Sequence, residues 1–126
     1  MKNMFKKLLV VDDIEEYVKV LEILLWDKYG VIPAHNLKEA QEKFLKYNPD
    51  GAIIDIRLND KDETNMEGEI LLEWIMKQKR DFPVIMMSAY TTPDIAIRML
   101  RKGARHYFSK PFQIEEFLNI LKREIG

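Results

Sequence analysis

Five short apolar runs, each followed by a longer stretch with helical spacing, constrain the fold of this chain more than any other feature. The runs are Lys7–Val11, Gly30–Ala34, Ala52–Ile56, Pro83–Met87 and Ala104–Ser109. After the last of them Ile114, Phe117, Leu118, Leu121 and Ile125 fall at steps of three and four, one apolar stripe on a helix. Leu37, Ala40, Phe44 and Leu45 repeat the pattern earlier, and Ile95, Met99 and Leu100 later. Ile14, Val18, Leu21 and Leu25 mark a first helix, and Ile70, Leu71, Trp74 and Ile75 a third. Strands that alternate with helices imply a parallel sheet covered on both faces, because each strand needs a crossover to return in the same direction. Leu8–Val11 and Val84–Met87 are continuously apolar, as doubly covered central strands are. Pro33 has no N–H to give to a ladder, so the second strand belongs at an edge. The expected fold is α/β, a doubly wound, five-stranded parallel sheet with five helices, in a single domain over residues 1–126.

Composition removes several classes of function. With 47% apolar and 33% charged residues the chain is globular rather than disordered. Its 20 basic and 21 acidic side chains leave a net charge of −1, which argues against direct nucleic-acid binding by bulk charge. The absence of cysteine excludes disulfides, thiolate metal sites and cysteine nucleophiles. Two histidines, His35 and His106, are too few for a multi-histidine zinc site. No stretch approaches the ~18 apolar residues of a membrane span, so no membrane partner is expected. Met1 to Lys7 is basic, but only Leu8-Leu9-Val10-Val11 follow before two aspartates, too few for a signal peptide. The cytoplasm is the expected location.

Open α/β sheets bind ligands at the carboxyl ends of their strands. There the first strand carries Asp12-Asp13, the third Asp55, the fourth Ser88, and the fifth runs out through Ser109 to Lys110-Pro111. Singly, most of these have plain explanations: either aspartate of the first pair can cap the helix that Glu15 and Glu16 open, and Ser88 and Lys110 are ordinary turn and surface residues. Asp55 is different, since it interrupts Ala52-Ile53-Ile54 and is followed by Ile56, where an unpaired carboxylate is costly. Like charges ~4 Å apart repel by about 4 kcal/mol at an effective dielectric near 20. Three carboxylates and one lysine therefore call for a proton or a cation. An all-oxygen donor set favours Mg²⁺, Mn²⁺ or Ca²⁺, and Mg²⁺ beside a lysine and a hydroxyl suits a phosphoryl group.

These residues, with Leu9-Val10-Val11-Asp12-Asp13, Ile53-Ile54-Asp55-Ile56, Met86-Met87-Ser88-Ala89 and the run Gly103 to Phe112, resemble the receiver domain of two-component response regulators. The resemblance covers essentially the whole chain, in the family's order and spacing. It implies the flavodoxin-like strand order 2-1-3-4-5. It implies that Asp55 accepts a phosphoryl group from a phosphohistidine of a sensor histidine kinase or phosphotransfer protein. Mg²⁺, with Mn²⁺ as a substitute, would be held by Asp13 directly, by Asp12 through water, by Asp55 and by the backbone carbonyl of Arg57. Lys110 and Ser88 would contact the phosphoryl oxygens, and Tyr107 matches the switch aromatic that follows Ser88. The Lys110-Pro111 peptide is expected to be cis. The output face, towards an output domain, a target protein or a phosphorylation-dependent second copy, would be the fourth helix, fifth strand and fifth helix.

One region departs from that pattern. Leu58-Asn59 stands where the family commonly has a proline, and Gly68 arrives 13 residues after Asp55. Asn59–Glu69 reads as an insertion of about five residues, expected to be a solvated, mobile loop. Its acids do not make a calcium loop, because the sixth position is Asn65 and the twelfth Leu71. Arg57 and Tyr90, each two residues beyond a site residue, would flank the path of an attacking water, and slow autodephosphorylation is expected.

The remaining features have structural readings. Met86 and Met87 are expected in a core strand, Trp26 and Trp74 as packing residues on helices, His106 at the surface of the fifth strand and His35 in a loop. Arg98, Arg101, Lys102 and Arg105 form a basic cluster, expected as a solvated face more than a partner contact. An aspartyl-phosphate phosphatase would place a second aspartate where Arg57 stands, and a nucleotide module would need a glycine-rich phosphate loop that is absent. A receiver-like domain that binds partners without phosphorylation is the third alternative.

Overall fold

The computed structural model describes residues 5–126; Met1 to Met4, the front of the basic start, lie outside the described residues. Strands and helices alternate as β1 (Lys7–Val11), α1 (Glu15–Leu25), β2 (Gly30–Ala34), α2 (Leu37–Tyr47), β3 (Gly51–Asp55), α3 (Glu67–Gln78), β4 (Val84–Ser88), α4 (Pro93–Arg101), β5 (His106–Ser109) and α5 (Ile114–Glu124). All four strand pairings are parallel, in the order β2-β1-β3-β4-β5. Pro33 lies in edge strand β2, opposite Val10, where its missing N–H breaks no ladder bond.

Alternation along the strands builds two cores. Leu9, Val11, Ile54 and Met86 face α2, α3 and α4, with Phe44, Leu71, Leu72, Ile75 and Met99. Leu8, Val10, Ile53, Ile85 and Met87 face α1 and α5, with Leu21, Leu25, Phe117 and Leu121. Each such side chain is worth about 1.5–3 kcal/mol when fully buried, so the central strands are the most secure part of the frame. Asn36 caps α2 by accepting from Glu39 N–H, and Thr92 caps α4 by accepting from Ile95 N–H ahead of Pro93.

Several boundaries and faces differ from the sequence reading. β3 starts and stops one residue early, leaving Ile56 buried but outside the ladder, and β5 starts at His106 rather than Ala104. Leu45, Ile70, Leu100 and Ile114, assigned to buried stripes by spacing, are exposed. Trp74 packs edge-on against Phe44, but Trp26 is 72% exposed and is not a packing residue. A rotation of one residue step turns a helical position by about 100°, so spacing alone leaves the flanks of a stripe undecided. The basic cluster is not simply a solvated face: Arg98 and Lys102 both bond Glu69, at 2.8 Å each, and Lys102 reaches Glu73 at 3.1 Å. Glu69 is only 8% exposed. Burial alone would raise its pKa, but the hydrogen bonds from Lys102 and Arg98 outweigh that and hold it below the usual carboxylate range.

Candidate phosphoacceptor and metal site

The strand order sets the site. β1 and β3 are adjacent, so Asp12, Asp13 and Asp55 leave neighbouring strand ends, with Ser88 ending β4 and Lys110 following β5. The chain past β3 stays anchored, because Ile56 N–H donates to Met87 carbonyl at 3.0 Å and Gly68 N–H donates to Ile56 carbonyl at 2.8 Å. Only a glycine fits at 68, where an added Cβ would stand 2.0 Å from the carbonyl oxygen of Asp55. α3 thus begins pressed against the backbone of the acid at the centre of the site.

Neither aspartate of the first pair caps α1. Asp12 is fully buried; one of its oxygens accepts from Ile14 N–H at 3.0 Å and the other meets Lys110 Nζ at 2.7 Å. Lys110 Nζ is also 3.7 Å from Asp55 Oδ1 and lies 4.0 Å from the centre of the Tyr17 ring. Asp13 accepts from Asp60 N–H through Oδ2 at 2.7 Å, while its Oδ1 is buried with no hydrogen-bond partner. One oxygen from each of the three acids falls within 4.8 Å of the others. Burial pushes the Asp55 carboxyl up to about 7, with the charges of Asp12 and Asp13 adding to the rise and Lys110 opposing it. Burial likewise raises Asp12 against the pull of Lys110.

An unpartnered buried carboxylate oxygen beside two further acids, in an all-oxygen donor set, fits a hard divalent cation such as Mg²⁺. The site is acidic enough to want one and narrow enough to hold one.

Around this centre the remaining expected residues take definite positions. Ser88 is buried and its Oγ accepts from Tyr90 N–H at 3.0 Å. Tyr107 is half-buried on β5, its hydroxyl 3.1 Å from Thr91 Oγ1, which in turn donates to Ser88 carbonyl at 3.3 Å. Arg57 and Tyr90 meet: the guanidinium carbon lies 3.5 Å from the tyrosine ring centre. The Lys110-Pro111 peptide is cis. His106 tilts onto Phe108, half-buried, and His35 sits after β2 between Glu15 and Glu39. The segment Asn59–Glu69 is exposed from Asn59 to Thr64 but carries a defined set of internal bonds, and its last residues form the first turn of α3.

Sequence reasoning missed Asp60, Thr91 and Tyr17. Thr91 was within reach, three residues past Ser88 and ahead of a helix start. Tyr17 and Asp60 meet the site through contacts far apart in the chain, with no local signature.

Known proteins share both sequence and fold. The chain is 32% identical over 114 residues to the transcriptional regulatory protein KdpE of Staphylococcus aureus, covering 90% of this chain and 47% of that protein. It is 36% identical over 115 residues to the two-component response regulator ARR12 of Arabidopsis thaliana, covering 90% and 19%. The chain therefore spans less than half the length of these curated relatives. Among solved structures, the CheY-like receiver domain protein of Methanospirillum hungatei superposes with a TM-score of 0.85 at 28% identity, covering 96% of this chain and 94% of that one. Chemotaxis protein CheY4 of Vibrio cholerae gives 0.84 at 27%, covering 95% and 98%. Among the described residues no helix is long and apolar enough to cross a membrane. With the family model for the response regulator receiver domain matching residues 8–122, the chain belongs to that family of two-component signalling domains, whose members signal through phosphorylation and generally bind Mg²⁺.

Proposed function

We propose that Asp55 is the phosphoacceptor and that residues 1–126 act as one phosphorylation-operated switch. The observation that carries this reading is the shared placement of Lys110, 2.7 Å from Asp12 and 3.7 Å from Asp55, two of the three acids whose oxygens cluster within 4.8 Å. The donor would be a phosphohistidine of a sensor histidine kinase or phosphotransfer protein. A carboxylate oxygen of Asp55 attacks phosphorus, the P–O bond forms as the P–N bond breaks, and the imidazole leaves with the electron pair and takes up a proton. Asp13, Asp55 and the Arg57 carbonyl, with Asp12 behind them, would hold Mg²⁺ or Mn²⁺. When bound, the cation neutralises carboxylate and phosphoryl charge, so that Asp55 is ionised and approachable by an anion.

The chain's own residues do the rest. The Lys110 ammonium exchanges its contact with Asp12 for a phosphoryl oxygen, to which it is attracted more strongly than to a single carboxylate. Ser88 Oγ, already at the rim, donates its proton to another phosphoryl oxygen. Phosphorylation adds about −1.5 to −2 charge at pH 7. A move of Ser88 shifts the carbonyl that holds Thr91, and Thr91 holds the Tyr107 hydroxyl. That path leads to α4, β5 and α5, the surface offered to an output domain, a target protein or a second copy. Such a switch would work in the cytoplasm, where its kinase's catalytic part resides.

The test is intact mass after incubation with Mg²⁺ and acetyl phosphate, for the wild type and Asp55→Asn. One phosphoryl group on the wild type alone, lost when the metal is chelated beforehand, is expected. An equal adduct on Asp55→Asn, or none on the wild type even with a phosphorylated kinase, would overturn the assignment.

A further inference from the structure

The two oxygens of Asp13 are treated differently by the fold. Oδ2 accepts from the backbone N–H of Asp60, a residue 47 positions away, while Oδ1 is left buried and unpartnered. A charge-assisted bond to one oxygen stabilises the ionised carboxylate and fixes its rotation, which decides where the other oxygen points. Asp13 also contributes a carboxylate oxygen to the cluster in which one oxygen each of Asp12, Asp13 and Asp55 lie within 4.8 Å of one another.

The donor is itself held in place by bonds that need no ligand. Asp62 N–H donates to Asn59 carbonyl at 3.0 Å, closing a turn in which Asp60 is the second residue. Within it Lys61 N–H donates to Asn59 Oδ1 at 3.2 Å, and behind it Leu58 N–H donates to Asn65 Oδ1 at 2.9 Å. From the far side, Arg57 Nη1 donates to the Asp60 carbonyl at 3.4 Å while its guanidinium stacks on Tyr90, whose hydroxyl is 3.4 Å from Asp60 Oδ1. The inserted segment is therefore a braced arm reaching over to Asp13.

We infer that the backbone N–H of Asp60 is a positioning donor for the cation site, holding Asp13 so that its free oxygen is presented ready-oriented to the metal. The inference rests on the proposed cation site and adds a role for the insertion. Donors of this outer kind orient a ligand and tune its basicity, and their loss typically weakens metal binding about 10–100-fold. The alternative is that the bond only fastens the loop to the domain.

Two substitutions at one position separate these. Asp60→Ala removes the side chain and its charge and keeps the N–H. Asp60→Pro removes the same charge and also the N–H, at the second position of a turn where proline's φ is accommodated. The Mg²⁺ dissociation constant of the metal-stripped chain is measured by calorimetry for wild type and both variants, beside their unfolding temperatures without metal. The expected result is a dissociation constant for Asp60→Pro at least about tenfold above that of Asp60→Ala, with both variants folded. Equal constants, whether or not the proline variant melts earlier, would overturn the inference and leave the cation site standing. Absence of Mg²⁺ binding by the wild type would overturn both.

Discussion

Replacing Asp55 with asparagine isolates the energetic cost of an acid buried among acids. In the metal-free protein its pKa is pushed up to about 7, whereas the unfolded chain has it near 3.8. The native state thus binds the proton more tightly, so this group's contribution is fully present below pH ~4 and is lost as pH rises through about 7. Three units at about 1.4 kcal/mol each make about 4 kcal/mol in all, of which ~3 kcal/mol is lost between pH 5 and pH 8. Asparagine has the shape of the protonated acid and no titration, so the variant keeps its stability across that range. With a chelator present, Asp55→Asn should therefore gain about 3 kcal/mol on the wild type between pH 5 and pH 8, on the order of 10 °C in unfolding temperature. Urea denaturation at the two pH values measures it. Saturating Mg²⁺ at pH 8 should close much of the gap by binding the native wild type. An advantage for asparagine that is the same at both pH values would refute the reasoning, because burial and the neighbouring charges would then not act on an ionised Asp55.

Three other outcomes follow from contacts already described. Gly68→Ala places a methyl 2.0 Å from the Asp55 carbonyl oxygen, 1.4 Å inside an ordinary 3.4 Å contact, so α3 must shift. We expect destabilisation of about 2–3 kcal/mol by denaturation, with slower phosphorylation by acetyl phosphate; an unchanged midpoint would show that α3 gives way freely. Glu69→Ala leaves Arg98 and Lys102 to solvent and should cost about 1–3 kcal/mol at pH 7. Since the Glu69 pKa is lowered on folding, that difference should shrink as pH falls through its folded pKa, below the usual carboxylate range, and a constant difference down to acid pH would contradict it. Tyr90→Ala removes the ring on which Arg57 lies and should shorten the phosphoprotein half-life severalfold by opening the approach of water to Asp55; intact mass against time measures it, and no change in half-life counts against that role.

The fold was largely legible because its strongest signals are local. Pro33 announced an edge strand by chemistry alone, and Leu8–Val11 announced a central one by continuous apolarity. The strand order was supplied by resemblance, since alternation gives a doubly wound sheet without saying which strands touch. Ile56 shows the limit at a strand end: it is as buried as its neighbours, yet the ladder stops one residue earlier. Trp26 shows the limit on a helix, where a large ring near the end of a good stripe faces outwards. At the site, Asp55 was legible as an acid in the wrong place. The Asp60 amide was not, because a backbone donor has no letter in the sequence and meets Asp13 across 47 positions. Glu69 lay hidden similarly, as its partners Arg98 and Lys102 come from the next helix but one strand away.

The edge strand has one further consequence. Gly30 N–H and Ala34 carbonyl bond towards β1, so Pro33 belongs to the row that faces away from the sheet. There it brings no donor, and its carbonyl is taken by the Lys43 ammonium of α2 at 2.5 Å. At the opposite margin β5 is only 4 residues long. A neighbouring chain offering a β-strand would find little to zip onto at β2 and a short purchase at β5. Backbone pairing at either margin is thereby disfavoured, which protects the chain against edge-to-edge aggregation.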